Sequence, residues 1–119
     1  HRKLRVFHLA DSLVCRIYKT INSFPLEERY GLQEQLRRAA VSVSAHIVEG
    51  SARRSQRDDS NFLNIAAGSA AEARYLCDVS GRLGFMPAGA CAQLEDEYRE
   101  VCGSLHALIV SIERLDPEP

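Results

Sequence analysis

The segment Tyr30–Glu72, YGLQEQLRRAAVSVSAHIVEGSARRSQRDDSNFLNIAAGSAAE, decides the fold. It predicts two helices joined at a corner rich in Gly and Ser, and the first helix carries two apolar stripes at helical spacing. The stripes are Leu36, Ala40, Val43 and Ile47, and Val41, Ala45, Val48 and Ala52. An amphipathic surface helix needs only one such stripe. The second stripe therefore predicts contact with another molecule, and a neighbouring subunit is the strongest candidate.

Outward from this segment, apolar residues recur at helical spacing along almost the whole chain, which predicts four helices in a single domain over residues 1–119. The predicted helices span about 4–23, 32–52, 56–83 and 88–115. Pro25 ends the first helix because it has no N–H group and disfavours helical dihedral angles at Phe24. Ser55 is a good N-cap for the third helix, Gly84 provides its C-terminal stop, and Pro87 suits the first turn of the fourth.

The fourth helix has the most regular apolar spacing, with steps that alternate between three and four residues. Its seam is Cys91, Leu94, Tyr98, Val101, Leu105, Leu108, Ile112 and Leu115. Such a seam fits left-handed bundle packing, and long helices with short connections predict an all-α, up-down-up-down antiparallel four-helix bundle. We expect Tyr18 and Ile65 to belong to the apolar rows of the first and third helices. Residues 116–119 are too polar and too rich in proline to pack, so we expect them to fray.

Composition is that of a soluble globular protein. No apolar run approaches the ~18 residues of a membrane span, so we expect no membrane partner and a cytoplasmic location. The four cysteines lie at apolar helix positions without a C-x-x-C pair, and we interpret them as small core residues. They are Cys15, Cys77, Cys91 and Cys102.

Charge is distributed unevenly along the chain. Residues 1–57 contain 11 Lys/Arg and 5 Asp/Glu, whereas residues 58–119 contain 4 and 11. This asymmetry predicts either a basic face and an acidic face or oppositely charged helices that neutralise each other within the bundle. The basic start of the chain, Arg2, Lys3 and Arg5, is expected to be a solvated tail.

The sequence provides little for catalysis. A di-metal bundle needs Glu-x-x-His motifs, and the chain has none; His46 and Glu49 have the reverse order, and we expect them to make a polar contact between helices or subunits. There is no P-loop and no G-x-S-x-G nucleophile elbow. We therefore predict no enzyme, no catalytic residue, no metal, no cofactor and no small-molecule substrate.

A basic cluster is the one positive indication of a function. Arg53, Arg54 and Arg57 lie at the corner beside the positive end of the third helix, where guanidinium groups and free N–H groups can bind phosphate oxygens. Arg37 and Arg38 lie about four turns earlier, and an acidic residue one turn before Arg38 makes a structural role the stronger interpretation there. Aromatic residues are few, which argues against a platform for base stacking.

Nearly the whole chain resembles the small bacterial four-helix bundle proteins of the 23S rRNA intervening-sequence family. The matching residues include Phe24-Pro25, Tyr30-Gly31-Leu32, Gln35-Leu36-Arg37-Arg38-Ala39, Glu49-Gly50, Arg53, Ser55, Phe62-Leu63, Ala66, Gly68-Ser69, Glu72 and Leu83-Gly84-Phe85. The resemblance implies a left-handed bundle that assembles as a ring-like homopentamer. One related branch, the accessory variability determinant proteins of retroelements, forms basic pentamers that bind nucleic acid and a reverse transcriptase. Ser44 stands where the family usually has proline, so we expect a straight second helix.

Together these features predict a non-enzymatic homopentamer that associates with RNA or another nucleic acid through phosphate contacts. Its partners would be further copies of itself, RNA, or a nucleic-acid-processing protein. The candidate subunit interface comprises Val41, Ala45, Val48, Glu49 and Ala52. The alternative is a protein-interaction scaffold that binds no nucleic acid.

Overall fold

The structure, a computed structural model, describes residues 1–115 and contains four α-helices and no strand within that range. The helices are α1 Arg2–Ile21, α2 Leu32–Ser51, α3 Gln56–Arg82 and α4 Ala88–Leu115, with a short 3-10 turn at Leu26–Glu28. Each helix begins and ends within two residues of its predicted position, the usual scatter at fraying ends. The predicted fraying of 116–119 lies outside the described residues.

Local chemistry explains where α3 begins and ends. The Asp58 backbone N–H donates to Ser55 Oγ at 3.1 Å, so Ser55 is the predicted N-cap. At the other end Gly84 has φ of +79°, a conformation that glycine adopts without steric cost. The Phe85 N–H then donates to the Ser80 carbonyl at 2.9 Å, which satisfies one of the carbonyls left free at the helix end.

The helices form an antiparallel four-helix bundle in which each helix packs against its two neighbours. Helix α1 contacts α2 and α4, and α3 also contacts α2 and α4. The Arg2 side chain at the start of α1 donates to Ser111 Oγ near the end of α4. Further along, Arg16 pairs with Glu97. These two contacts show that α1 and α4 run in opposite directions, and the short connections arrange the other helices in the same alternation.

The core confirms the division of α2 into two stripes. The first stripe, Leu36, Ala40, Val43 and Ile47, is buried almost completely. In the second stripe, 41% of Val41 and 54% of Val48 remain exposed, and Ala45 and Ala52 are exposed as well. Helix α2 is unbroken through Ser44, as expected for a chain that lacks the family's usual proline. The bundle therefore uses one apolar face of α2 and leaves the other uncovered.

Several residues expected in the core lie outside it. Tyr18 is 45% exposed and Ile65 is 47% exposed, and Leu115 and Cys15 are also exposed. The physical reason is that α1 and α3 each carry an outward row of side chains at the same helical spacing as the inward row. The described cysteines are free thiols, of which Cys77 and Cys91 are buried and match the predicted role of core residues.

Candidate functional site

The first turn of α1 lies at the same end of the bundle as the corner between α2 and α3. The Lys3 ammonium nitrogen is 2.7 Å from Asp59 Oδ2, which ties α1 to the first turn of α3. The other Asp59 oxygen is buried and has no hydrogen-bond partner among the described residues. The expectation that Arg2, Lys3 and Arg5 form a solvated tail is wrong, because all three residues belong to α1.

We call this part of the molecule the basic end. Its basic side chains outnumber its acidic ones among the described residues. The basic residues are Arg2, Lys3, Arg5, Arg53, Arg54, Arg57 and Arg114, and the acidic residues are Glu49, Asp58, Asp59 and Glu113. The opposite end, which we call the acidic end, includes Glu27, Glu28, Glu34, Asp78, Glu95, Asp96 and Glu97. That end also has basic side chains, including Arg29, and Arg16 and Arg82 pair with Glu97 and Asp78. Basic charge is therefore in excess at the basic end, whereas at the opposite end neighbouring side chains neutralise much of the charge, which is the second of the two arrangements that the sequence suggested.

Arg53 is held in place by two neighbours. Its guanidinium group lies 3.0 Å from a Glu49 carboxylate oxygen and 4.7 Å from the centroid of the Phe62 ring. The imidazole of His46 stacks on the same ring at 6.0 Å between centroids. Both members of the Arg53–Glu49 pair are about half exposed, so the pair contributes little to stability. It orients a cation that still faces solvent.

Arg54 and Arg57 complete the predicted corner cluster. Both are exposed, Arg54 in the connection after α2 and Arg57 in the first turn of α3. The free N–H groups and the dipole of the α3 N-terminus favour an anion at this position. Asp58 in the same turn opposes that preference, since its carboxylate is also exposed. The corner is therefore a solvated, basic surface that also contains an exposed carboxylate.

Arg37 and Arg38 lie away from the basic end. They precede Arg53 by about four turns of α2, or roughly 20 Å at 1.5 Å per residue. Arg37 is half-buried, and both arginines border an open cleft of about 430 Å³ that Tyr18 and Val41 also line. The five arginines predicted to bind nucleic acid therefore do not form one cluster.

A polar cleft that was not predicted from the sequence lies between α2 and α3 beside Arg38. The Ser42 hydroxyl is 2.7 Å from the Ser69 hydroxyl and 3.0 Å from His46 Nδ1. Next to these groups, a cleft of about 330 Å³ is lined by Gln35, Arg38, Ala39, Ser42 and Glu72. Ser42 and His46 are four residues apart on one helix, and this spacing is the sequence feature that could have indicated the contact between them.

The exposed stripe of α2 continues onto α1. Leu4 is exposed, and it forms an apolar cleft of about 440 Å³ with Phe7, Ile47 and Val48. All five candidate interface residues, Val41, Ala45, Val48, Glu49 and Ala52, are exposed. We call this surface the α1/α2 face. The contribution of α1 could not be recognised before the packing of the two helices was known.

The buried cysteines are poor nucleophiles. Burial raises the pKa of the Cys77 thiol to about 12. Burial and, after it, a hydrogen bond to Glu95 raise the pKa of Cys91 to about 11. Burial also raises the pKa of the Tyr98 hydroxyl. Within residues 1–115 no three His, Cys, Asp or Glu side chains converge as metal ligands, and no helix combines the length and apolarity needed to cross a membrane.

The model of one protein family, the 23S rRNA-intervening sequence protein family, matches residues 2–107. The chain belongs to this family. Among solved structures, it resembles a protein of unknown function from the S23 ribosomal protein family of Bacteroides thetaiotaomicron VPI-5482. The TM-score is 0.84 at 22% identity, over 92% of this chain and 98% of that chain, which supports the four-helix fold of the intervening-sequence family member described here. No curated protein matches significantly. The matches indicate no catalytic family.

Proposed function

We propose that this intervening-sequence family member is a non-enzymatic homopentamer that binds RNA or another nucleic acid through phosphate contacts at its basic end. One observation supports this function most strongly. Two segments far apart in the sequence, the start of α1 and the corner that runs from the end of α2 into α3, lie together at one end of the bundle. Cations gathered from separate segments favour a polyanionic ligand. An RNA ligand would place the protein in the cytoplasm.

The pentameric part of the proposal is supported by the α1/α2 face and by the family resemblance. The face leaves Leu4 and Val48 more than half exposed and Tyr18 and Val41 more than two-fifths exposed. An apolar surface that stays uncovered in a single chain is typical of an interface between proteins. In a ring, several basic ends act on one RNA, so that weak individual contacts combine into a strong one.

The triple variant Arg53→Ala, Arg54→Ala, Arg57→Ala tests the phosphate contacts. Wild type is expected to bind a structured rRNA fragment at low salt and to lose affinity steeply as the salt concentration rises, because phosphate contacts release counterions. The triple variant is expected to bind much more weakly and with a shallower salt slope. Fluorescence anisotropy over a salt series measures both quantities. Circular dichroism and sedimentation should be unchanged, since alanine favours helix.

A matched control removes the same charge elsewhere. Arg29, Arg82 and Arg99 are exposed and lie outside the basic end, so their replacement by alanine should leave RNA affinity close to that of wild type. The proposal fails if wild type does not bind RNA at low salt. It also fails if the basic-end variant binds as tightly as the control variant.

The acidic end favours a second candidate function, a scaffold for a protein partner with a basic surface. The charges that would attract such a partner include the exposed Glu27 and the half-buried Glu34, since Asp96 and Glu97 are paired with Arg99 and Arg16. This alternative predicts that the wild-type protein does not bind RNA but binds a positively charged protein with an affinity that depends on salt concentration. A nucleic-acid-processing protein with a basic surface would be such a partner. The anisotropy experiment separates the two functions, since only the first requires RNA binding.

A further inference from the structure

A ring of five identical chains needs two different contact surfaces on every chain. In such a ring each contact is heterologous, so the surface that one chain offers meets a different surface on the next chain. The α1/α2 face can supply only one of the two. The second surface must lie elsewhere on the bundle.

Helix α3 carries an exposed stripe on the side that faces away from the core. The stripe comprises Asn61, Ile65, Gly68, Glu72 and Tyr75, all of them exposed. Its two large apolar side chains, Ile65 and Tyr75, are about half exposed. Successive members are four and three residues apart in alternation, which is the spacing of a seam between two helices. We call this surface the outer stripe of α3. Like the second stripe of α2, it is a seam that one bundle leaves uncovered.

Contacts within one chain show which residues of α2 and α3 lie at the same level along the bundle. The Ser42 and Ser69 hydroxyl groups are 2.7 Å apart, and the rings of His46 and Phe62 stack on each other. Because the two helices run in opposite directions, each step along α2 corresponds to an equal step back along α3. The proposed function places all basic ends on one side of the ring. The ring axis then runs along the bundle, and neighbouring chains share these levels.

At shared levels the second stripe of α2 and the outer stripe of α3 are complementary in size. Val41 lies level with Gly68. One turn further along α2, Ala45 lies level with Ile65. At both positions a large side chain is therefore opposite a small one, an arrangement that lets two helices pack closely.

The two stripes are also complementary in charge. Arg38 extends the second stripe of α2 by one step, and it lies level with Glu72 because both residues line the cleft between α2 and α3. No hydrogen bond or ion pair engages either side chain within residues 1–115. Each charge is therefore available to the opposite charge on a neighbouring chain.

The places of α2 and α3 in the bundle fit a small closed ring. The two helices pack against each other and so occupy adjacent corners, and the outward directions of adjacent corners in a four-helix bundle are about 90° apart. In a ring of five, the directions from one chain to its two neighbours are about 108° apart. Seams at diagonal corners would point in opposite directions and would favour an open filament over a small ring.

We infer that the α1/α2 face of one chain packs against the outer stripe of α3 of the next chain, in head-to-tail contacts that close the ring. This inference rests on the proposed function and adds the second contact surface that a ring requires. Arg38 of one chain pairs with Glu72 of the next, at the same level as their shared cleft.

The Ile65→Asp variant tests the outer stripe of α3. The new charge is solvated in a free chain but buried and unpaired in the ring. Helicity in circular dichroism should therefore be kept, while the mass in sedimentation equilibrium should fall about fivefold. Val110→Asp on α4 is the matched control, because Val110 is similarly exposed, and it should sediment like the wild-type protein. If Ile65→Asp also sediments like wild type, the inference is wrong and the proposed pentamer stands. If the wild-type protein is itself monomeric, both fail.

A mixing experiment tests whether the two surfaces meet each other. A Val48→Asp chain keeps its outer stripe of α3, and an Ile65→Asp chain keeps its α1/α2 face, so the mixture can form one intact contact but no closed ring. Each variant alone should be monomeric in sedimentation velocity, and the mixture at high protein concentration should contain a species of about twice the chain mass. A mixture that stays monomeric, or dimers of Ile65→Asp alone, would show that these surfaces do not meet head to tail.

Discussion

At the scale of single residues, burial separates the cysteines into reactive and protected thiols. Cys15 is exposed on α1, whereas burial holds the pKa values of Cys77 and Cys91 at about 12 and about 11. The thiolate is the form that attacks disulfide reagents. We expect an aromatic disulfide reagent at pH 8 to modify Cys15 quickly once the α1/α2 face is uncovered, as in a Val48→Asp variant, and the two buried thiols only after denaturant unfolds the chain.

Mass spectrometry of the modified peptides would assign each rate to its cysteine. Addition of Cys15→Ser to that variant is the control, since it should remove the fast phase and leave the slow modification of Cys77 and Cys91 unchanged. Rapid modification of Cys77 in the native protein would contradict the description of this core.

At the scale of the helices, Gly50 sets how closely α2 and α3 approach. A Cβ atom at Gly50 would lie 2.6 Å from Asp59 Oδ1 and 3.1 Å from Phe62 Cβ. Gly50→Ala should therefore force the helices apart and lower the free energy of unfolding by ~1–3 kcal/mol. Gly103→Ala is the matched control, since nothing lies within 4 Å of its Cβ position. It should raise stability by up to ~1 kcal/mol because alanine favours helix.

Urea unfolding followed by circular dichroism compares the two glycine variants. If the urea midpoint of Gly50→Ala is at or above that of Gly103→Ala, the space between α2 and α3 accommodates a methyl group and the close approach is wrong. The same approach of α2 and α3 positions Arg53 over Phe62 at the basic end, so a shift at Gly50 should also weaken RNA binding.

The helix ends show what could be predicted from sequence. Pro25, Ser55 and Gly84 act through their own backbone and side-chain chemistry, so they indicate the correct helix ends without knowledge of the fold. Tyr18 and Ile65 were assigned wrongly because periodicity finds an apolar row but does not say whether it faces the core. The α2–α3 cleft and the contact between the start of α1 and the corner depend on how the helices pack. No local sequence pattern encodes this packing.

At the scale of the whole molecule, the α1/α2 face accounts for the second stripe of α2. Val48→Asp would bury an unpaired charge in the proposed interface, which is costly. We expect this variant to sediment as a smaller species with its helices intact. Val110→Asp is the matched control, because Val110 is 44% exposed on α4 and lies outside the face. It should sediment like wild type. If the Val48→Asp variant and the wild-type protein sediment alike, α2 is not part of the subunit interface.

We propose that this bundle functions as a ring of five chains whose basic ends bind RNA together. Sedimentation equilibrium of the wild-type protein at micromolar concentration tests that claim most directly, because it measures mass without assuming shape. We expect a single species of about five times the 13.3 kDa chain mass. A stable monomer would contradict it, since the exposed α1/α2 face would then have no partner among copies of the chain.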